Sequence, residues 1–389
     1  MRALYWFQKD LRLHDNPGLV AAAAADELLL VYLWPRQRPW CNTRGLGEQR
    51  ERFITESLEE LAAALEPLGQ NLLVLQGSPE LVLPDLVRDY GIDAVHLNQC
   101  AGSYERRAVR TLRERLDVEV LEHRGNTLFS AGAVDSLGKL PGTFTPFRKK
   151  VENSLEPDAP TRSLPQLPPP PAVRFHAIPP ASARPHLALP VRGGSHAGQR
   201  RLRQFLEPDG GIRQYKETRN GLDPLAGSST LSPWLANGNL SVREVAAAVA
   251  AHEDAHGENE STYWLYFELL WREFYFWRAV ADGVGLFRFR GPRGENSGAI
   301  NRCTFEPRNY ARWCAGDTNF PLVNAFMRQL VATGWMSNRG RQIAASCLIH
   351  DLGIDWRYGA AFFEKHLIDY DVGSNYGNWQ YIAGVGADP

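Results

Sequence analysis

One stretch of the chain places stacking, acidic and basic side chains on the same side of a predicted helix. Glu268, Trp271, Arg272 and Tyr275 follow one another at i, i+3, i+4 and i+7, positions that share a helix face. An indole ring that stacks, beside a carboxylate and a guanidinium that form hydrogen bonds, could hold a flat ligand with polar edges, such as a nucleobase. A buried stripe of paired charges is the alternative interpretation.

Two further segments carry polar groups suited to ligand binding. Residues 228–232 read Ser-Ser-Thr-Leu-Ser before a predicted helix, where hydroxyl and backbone N–H groups either bind phosphate or cap the helix. A later stretch, interrupted by glycines, contains Asp369, Asp371 and Asn375. These side chains can bond a heterocycle or pair with Arg341. Because a buried, unpaired carboxylate is unfavourable, they otherwise face solvent.

Three other motifs have competing explanations. Gly45-Leu46-Gly47 begins like a dinucleotide-binding fingerprint, but Arg50 occupies the third glycine position and no strand directly precedes the motif. Residues 252–256 match H-E-x-x-H, yet a polar segment follows at once, so we expect a solvated helix end and no metal site. Residues 287–290, Phe-Arg-Phe-Arg, suit either single-strand binding or a charged surface hairpin.

The composition excludes several classes of protein. A chain of 389 residues is long enough for two or more domains, and 44% hydrophobic with 22% charged residues is typical of globular proteins. No apolar run approaches the length of a membrane span and no secretory signal is evident, so we expect a cytoplasmic protein without membrane contact. Five scattered cysteines indicate reduced thiols. With a net charge of -1, any nucleic-acid binding must depend on a local basic patch.

Periodicity divides the chain into an α/β part and an all-α part. Predicted strands are residues 4–7, 28–34, 71–76, 94–98 and 118–122, and the helices between them are residues 47–65, 79–90 and 103–116. This alternation predicts a doubly wound parallel sheet.

Beyond the sheet, proline dominates residues 153–192, and afterwards only helical periodicity remains. The helices predicted there are residues 199–206, 242–252, 262–281, 321–333, 341–351 and 358–368. We therefore predict an α/β domain over residues 1–130, an interdomain linker over 131–195 and a helical domain over 196–389.

Five motifs, in the expected order along the chain, resemble the DNA photolyase/cryptochrome family. They begin at Trp6 (WFQKDLRLHDN), Glu268 (ELLWREF), Thr333 (TGWMSNRGR), Asp351 (DLGIDWR) and Leu367 (LIDYD). Four more resemble the DASH-type cryptochromes within that family, and they begin at Gly125 (GNTLF), Phe144 (FTPFRK), Tyr215 (YKETRN) and Ser374 (SNYGNW). The resemblance implies an N-terminal antenna domain with the α/β fold and a helical domain that binds FAD in a U shape.

The resemblance also implies roles for individual residues. It assigns FAD contacts to Tyr215, Ser228, Ser229, Thr230, Leu231, Ser232, Arg272, Asn338, Arg341, Asp369, Tyr370, Asp371 and Asn375, of which Asn375 faces the flavin N5. It assigns DNA contacts to Glu268, Trp271, Arg272, Arg339, Gln342 and Tyr381. In this scheme Trp271 stacks on a flipped pyrimidine dimer, and Glu268 bonds the carbonyl edge of the damaged bases.

Two further features follow from the resemblance. An electron relay to the flavin begins at Trp379 and Trp356, but Cys303 occupies the usual position of the distal tryptophan, so Trp313, Tyr310 or Phe305 would replace it. Glu105 matches a carboxylate that contacts a folate antenna, methenyltetrahydrofolate, in some relatives.

The function implied is light-driven transfer of an electron from reduced FAD into a cyclobutane pyrimidine dimer. Relatives that repair duplex DNA carry Met and Trp where this chain has Gln342 and Tyr381, so single-stranded DNA is the expected substrate. The alternative is a blue-light photoreceptor that signals through flavin redox change without repair. We expect a monomer. Relatives also continue past the position that matches Pro389 into a further helical segment.

Overall fold

The N-terminal part is built on a parallel sheet. The structure is a computed structural model and describes residues 1–35, 39–222, 227–292, 294 and 305–386. Its five strands lie in the order β3-β2-β1-β4-β5, and all four pairings are parallel. They are β1 (Arg2–Phe7), β2 (Glu27–Trp34), β3 (Leu72–Gln76), β4 (Ala94–Asn98) and β5 (Glu119–His123). This is the doubly wound sheet that the sequence predicted.

Helices cover both faces of the sheet because side chains of each strand alternate between the two faces. They are α1 (Pro17–Ala22), α2 (Glu48–Leu65), α3 (Pro79–Tyr90) and α4 (Ser103–Arg115). Tyr5 packs in one apolar layer with α1 and α2, and Leu4 packs in the opposite layer with α3 and α4. The strand order reverses between β1 and β4, which opens a crevice at the carboxyl ends of the strands.

The predicted linker contains regular structure at its start. Helices α5 (Ala131–Ser136) and α6 (Phe144–Ser154) lie within residues 131–195, and Phe147 of α6 packs against Phe274, with 5.4 Å between the ring centroids. Residues 155–194, all of which the structure describes, contain no helix or strand, as their proline content predicted. The limits of the domains remain a prediction.

The C-terminal part is helical, as predicted. Its elements are α7 (Ser195–Leu206), α8 (Tyr215–Thr218), α9 (Ser232–Asn237), α10 (Val242–His256), α11 (Glu260–Asp282), α12 (Pro307–Ala315), α13 (Pro321–Thr333), α14 (Asn338–Ser346), α15 (Trp356–His366) and α16 (Val372–Ile382). A π-helical turn, Cys347–Asp351, continues α14. One large apolar cluster holds these helices together and includes the aromatic side chains of α11, α15 and α16.

The structure shows the local fold of two motifs left open above. The H-E-x-x-H segment is the end of α10, where the Glu253 carboxylate accepts a hydrogen bond from the Thr262 hydroxyl. Phe287 ends a short 3-10 turn, Gly283–Phe287, and residues 288–290 form a bend and a turn, so none of these four residues lies in a strand. Within the described ranges no group of three or more His, Cys, Asp or Glu side chains could bind a metal. Of the helices in those ranges, none combines the length and the apolar character that crossing a membrane requires.

The sequence analysis predicted no helix over the glycine-containing stretch after Asp371, but α16 runs through Gly373 and Gly377. A Cβ atom at Gly373 would lie 2.6 Å from the carbonyl oxygen of Tyr275, and one at Gly377 would lie 2.4 Å from the ring of Tyr275. These glycines therefore permit close packing of α16 on α11, and the helix forms despite their low helical propensity.

A buried ion pair joins the two parts of the molecule. In the loop after β1, Asp15 receives two hydrogen bonds from Arg243 of α10, Nη2 to Oδ1 at 2.6 Å and Nε to Oδ2 at 2.9 Å. The Asp15 and Arg243 side chains are 0% and 5% exposed. Arg12 donates to the Gly238 carbonyl oxygen at 3.0 Å, and Ser241 donates to Asp15. The W-F-Q-K-D-L-R-L-H-D-N motif thus positions the helical part on the sheet.

We predict that Asp15→Ala lowers the free energy of unfolding by about 3 to 5 kcal/mol, because it leaves the Arg243 charge buried and unpaired. Burial acts to raise the pKa of Asp15, but hydrogen bonds from Arg243 and Ser241 outweigh it and hold that pKa below its usual value. Stabilisation from a depressed pKa is present above the unfolded-state pKa and is lost as the pH falls through the folded-state pKa. The difference should therefore shrink in acid.

Chemical denaturation of both proteins from neutral to acidic pH measures this effect. The matched control is Asp26→Ala, since Asp26 forms an exposed pair with the N-terminus and should leave the unfolding midpoint unchanged. Equal midpoints for wild type and Asp15→Ala at neutral pH would contradict the prediction.

Candidate functional site

A cavity of about 470 Å³ lies between α11, α14 and α16, and a chamber of about 240 Å³ adjoins it. Both volumes are of the size found for small-molecule and cofactor sites. Residues that line both spaces include Tyr215, Ser228, Glu268, Arg272, Asn338, Arg341, Asp369 and Asp371. The structure therefore brings together, from five separate segments, residues that the sequence analysis assigned to FAD and DNA contacts.

Helix α11 forms one wall of the cavity. A capping box between Asn259 and Thr262 fixes its start. Glu268, Trp271 and Arg272 lie on the cavity side, as their spacing predicted. Trp271 stacks on Phe144 of α6, with 3.7 Å between centroids and 10° between ring planes. This contact fixes the plane of the indole ring.

Two neighbours of Trp271 anchor α11 to the loop after β5. Arg272 donates from Nη1 to the Asn126 carbonyl oxygen at 2.8 Å. Glu273 is fully buried and accepts hydrogen bonds from the Leu128 backbone N–H at 2.8 Å and from the Trp277 indole N–H at 2.6 Å. Burial raises the pKa of Glu273 to about 7, although these bonds favour its ionised form. The loop after β5 thus sets the position of the cavity wall.

A second ion pair lies at the buried end of the cavity. Arg341 donates from Nη2 to Oδ2 of Asp369 at 2.7 Å, and the Ser232 hydroxyl donates to the same oxygen at 2.7 Å. The other oxygen, Oδ1, is buried and has no hydrogen-bond partner among the described residues. A buried acceptor without a partner is unfavourable, so this oxygen marks a place for a ligand donor.

Local contacts orient three residues that line the cavity near Asp369. The Asp371 carboxylate caps α16 by accepting from the Ser374 N–H at 2.7 Å. The Asn375 side chain donates to the Ala360 carbonyl oxygen at 3.0 Å. The Tyr370 ring lies 4.4 Å from the Arg50 guanidinium carbon, which connects this wall to α2.

The hydroxyl-rich loop, residues 228–232, borders the smaller chamber. Arg201 donates to the Ser229 carbonyl oxygen at 2.9 Å, to the Thr230 hydroxyl at 2.8 Å and to the Ser228 carbonyl oxygen at 2.9 Å. Helix α9 begins at Ser232 without a side-chain cap. The Ser and Thr hydroxyls of this loop therefore do not cap α9, which was one of the two alternatives from the sequence.

At the exposed end of the cavity the polar side chains bond one another. Arg339 donates to the side-chain oxygens of Gln342 at 2.8 Å and Asn220 at 3.4 Å. Arg219 donates to Glu268. Tyr381, at 41% exposed, also lines this end. The sequence analysis missed Arg219 and Phe144 as site residues, since nothing in the spacing of the chain relates them to α11.

Both tryptophans assigned to the start of an electron relay are buried, and Trp379 lines the cavity. Trp379 makes an edge contact with Trp313, with ring centroids 6.3 Å apart. Trp313 lies parallel to Tyr310, with centroids 6.4 Å apart. Trp356 donates its indole N–H to the Phe289 carbonyl oxygen at 2.9 Å. Cys303 lies outside the described residues.

Glu105 is remote from this cavity. It lines a separate cavity of about 400 Å³ at the carboxyl ends of the first strands, together with Trp6, Lys9, Tyr32 and Trp34. Burial lowers the pKa of Lys9 to about 8. This cavity occupies the crevice that a doubly wound sheet offers to ligands.

A parallel α/β domain followed by a helical domain with this polar cavity defines the class of photolyase-like proteins. The profile described as DNA photolyase matches residues 3–171, and the profile described as FAD binding domain of DNA photolyase matches residues 264–389. The chain belongs to the DNA photolyase/cryptochrome family and carries its FAD-binding domain.

Individual relatives specify the similarity further. The chain is 42% identical to a protein named Cryptochrome DASH from Idiomarina loihiensis, with 99% of this chain and 86% of the relative covered. It is 44% identical to one of the same name from Vibrio parahaemolyticus, at 99% and 87% coverage. The solved Synechocystis cryptochrome shares the fold, with a TM-score of 0.90, 36% identity and coverage of 100% and 83%. A class III photolyase from Agrobacterium tumefaciens matches with a TM-score of 0.80, 29% identity and coverage of 100% and 80%.

Proposed function

We propose that the chain is a light-driven flavoprotein, a DASH-type cryptochrome that repairs cyclobutane pyrimidine dimers in single-stranded DNA. The observation that supports this function is a single cavity with two ends of different character. Its buried end contains the Arg341–Asp369 pair, and its exposed end contains Glu268 and Trp271. A flipped pyrimidine dimer at the exposed end would lie beside a cofactor at the buried end. We further propose that the protein acts as a monomer in the cytoplasm.

The residues at the buried end fit FAD. Oδ1 of Asp369 has no hydrogen-bond partner among the described residues, and a flavin ring offers an N–H donor on its pyrimidine edge. The start of α9, beside residues 228–232, offers backbone N–H groups suited to a diphosphate. When bound, FAD would supply light absorption and the transferable electron.

We assign the contacts to FAD as follows. Tyr215 and residues 228–232 hold the diphosphate and ribityl chain, with Leu231 as the apolar member, and Arg272 lies between the two ends of the cavity. The isoalloxazine contacts are Asn338, Arg341, Asp369, Tyr370, Asp371 and Asn375. The bond from Asn375 to the Ala360 carbonyl oxygen orients its amide group, and Asp369 keeps Arg341 in place.

At the exposed end, Trp271 would stack on the dimer and Glu268 would bond its carbonyl edge. Gln342 and Tyr381 make the rest of this end polar, and Arg339 already bonds Gln342. Stacking contributes about 1 to 3 kcal/mol per base, so a mouth with one indole face offsets less of the penalty of extruding a dimer from a duplex. In a single strand that penalty is largely absent.

We propose that Trp379 passes electrons towards the flavin and that Trp356 also belongs to the relay. The contacts of Trp379 with Trp313 and of Trp313 with Tyr310 support Trp313 and Tyr310 as the outer members. These two are part of the set that the sequence analysis left open. All of these side chains are buried, which shields them from solvent.

We also propose that a folate antenna binds in the cavity that Glu105 lines. The size of this cavity and its aromatic walls, formed by Trp6, Tyr32 and Trp34, suit a planar ring system.

We predict that the purified protein retains noncovalent FAD and that Asp369→Asn weakens its retention. Loss of the charged partner of Arg341 removes charge-assisted hydrogen bonds, so the Kd for FAD should rise about ten- to a hundred-fold. Absorbance of the dialysed protein measures the bound flavin. Glu258→Gln, at an exposed position, serves as the control and should retain FAD like wild type. A folded, colourless wild-type protein would contradict the cofactor assignment.

Trp379→Phe should abolish light-driven flavin reduction by an external reductant, because phenylalanine fills similar space but is far harder to oxidise. Illuminated absorbance spectra with and without the reductant measure this. Trp264→Phe, at a tryptophan of α11 that does not line the cavity, should reduce normally. Unchanged photoreduction in Trp379→Phe would show that electrons enter by another route.

We predict light-dependent repair of dimers in a single strand at a rate about ten-fold or more above that in a matched duplex, since each 1.4 kcal/mol of extrusion penalty is about a factor of ten. Chromatography of oligonucleotides after illumination, against dark controls, measures the products. Equal rates on both substrates would contradict the single-strand preference. Repair of neither would favour the photoreceptor alternative.

A further inference from the structure

Arg219 and Glu268 pair at the exposed end of the cavity, where a DNA strand would enter. Nη1 of Arg219 donates to Oε1 of Glu268, and the two side chains are 20% and 31% exposed. The Arg219 guanidinium carbon also lies 4.1 Å from the centroid of the Trp264 ring. Arg219 directly follows α8, and the next residue, Asn220, accepts a hydrogen bond from Arg339 across the cavity. The pair therefore lies at the entrance that the substrate uses.

The ion pair with Arg219 engages the Glu268 carboxylate, which the proposed repair reaction needs for bonding the dimer. Arg219 already donates to Oε1 of Glu268, and its positive charge favours the ionised form of the carboxyl group. An ionised carboxylate is also an acceptor only, whereas the carbonyl oxygens of a pyrimidine require a donor. A change in the protonation or the partner of Glu268 must therefore accompany productive binding.

We propose, on the basis of the repair function above, that Arg219 is a positioning residue that exchanges partners when DNA binds. A backbone phosphate of the strand takes the guanidinium from Glu268, and the released carboxylate binds one proton from solvent. One ion pair breaks, one forms and one proton is taken up. The resulting neutral carboxyl group donates its O–H to a base carbonyl oxygen and keeps an acceptor oxygen for an N–H group.

The chemistry of the two partners supports the exchange. A guanidinium binds phosphate through parallel hydrogen bonds, and the phosphate of a strand remains ionised at neutral pH. Burial raises the pKa of Glu268, and the charge of Arg219 opposes that rise. When the phosphate neutralises Arg219, the effect of burial remains, and entry of the bases removes more water from the carboxyl group.

The other groups around Glu268 do not compete for this proton. The charged and titratable side chains that line the cavity with it are Arg219 and Tyr215 at α8, Arg272 and Tyr275 on α11, Arg339 and Arg341 on α14, Asp369, Tyr370 and Asp371 before α16, and Tyr381 on α16. Burial raises the pKa of Tyr215, Tyr275 and Tyr370, so these three stay neutral. Asp369 is paired with Arg341, and Asp371 is bonded to the N–H at the start of α16.

The experiment is calorimetric titration of the flavin-loaded protein, in the dark, with a dimer-containing single strand in buffers of different ionisation enthalpy. We expect uptake approaching one proton per bound strand. Affinity should then fall by up to about ten-fold per pH unit as the pH rises between the Glu268 pKa values of the free and bound states. Glu268→Gln should bind without this uptake and with a pH-independent Kd.

Variants of Arg219 test the exchange itself. Arg219→Gln should lower the slope of log K against log salt by about one and reduce proton uptake, because Glu268 then binds part of its proton before DNA arrives. Arg219→Lys should keep the salt slope. Arg88→Gln, at a 69% exposed position on α3, is the control and should change neither quantity.

The outcomes separate this inference from the function on which it rests. Binding without proton uptake, or uptake that persists in Glu268→Gln, would overturn the exchange and leave the DNA-directed function intact. A salt slope unchanged in Arg219→Gln would overturn the phosphate contact. A strand that does not bind at any pH would overturn both proposals.

Discussion

The arrangement of the molecule depends on the buried ion pair between Asp15 and Arg243. Because it lies in a dry interface, each charge requires the other, and this requirement holds α10 against the loop after β1. The same interface reaches the cavity through Asn237, whose backbone carbonyl accepts from the Leu11 N–H at 3.3 Å. The Asn237 side chain in turn donates to the Ile368 carbonyl oxygen at 2.8 Å, one residue before Asp369. The domain contact and the buried end of the cavity are thus one connected structure.

The cavity combines two kinds of ion pair with different consequences. In the pair of Arg341 with Asp369, the hydrogen bonds go to Oδ2, and Oδ1 has no partner within the part of the chain that the structure describes. The pair of Arg219 with Glu268 is half-exposed and lies at the entrance. A buried pair is lost only at a large penalty, whereas a partly solvated pair exchanges partners readily. The first therefore suits a resident ligand and the second suits a transient one.

Periodicity in the sequence predicts the sheet and most long helices, since burial of apolar faces determines them locally. The strand at residues 94–98 and the helices at 79–90 and 321–333 begin and end where the sequence predicted. The sequence does not predict in the same way which side chains form ion pairs, because these contacts depend on how the helices and strands assemble. Asp15 and Arg243 are 228 positions apart, Arg219 and Glu268 are 49 apart, and no spacing rule connects them. Motif resemblance located the cavity residues, but it could not give their hydrogen-bond partners.

The two glycines of α16 limit how this chain can diverge. Asn375, Trp379 and Tyr381 all lie on that helix, which contacts α11 through the bare backbone at Gly373 and Gly377. Any side chain at either glycine would shift α16 away from α11 and displace all three groups together. Lineages can therefore alter the surface of α16 one residue at a time, whereas a change at either glycine alters the whole site in a single step.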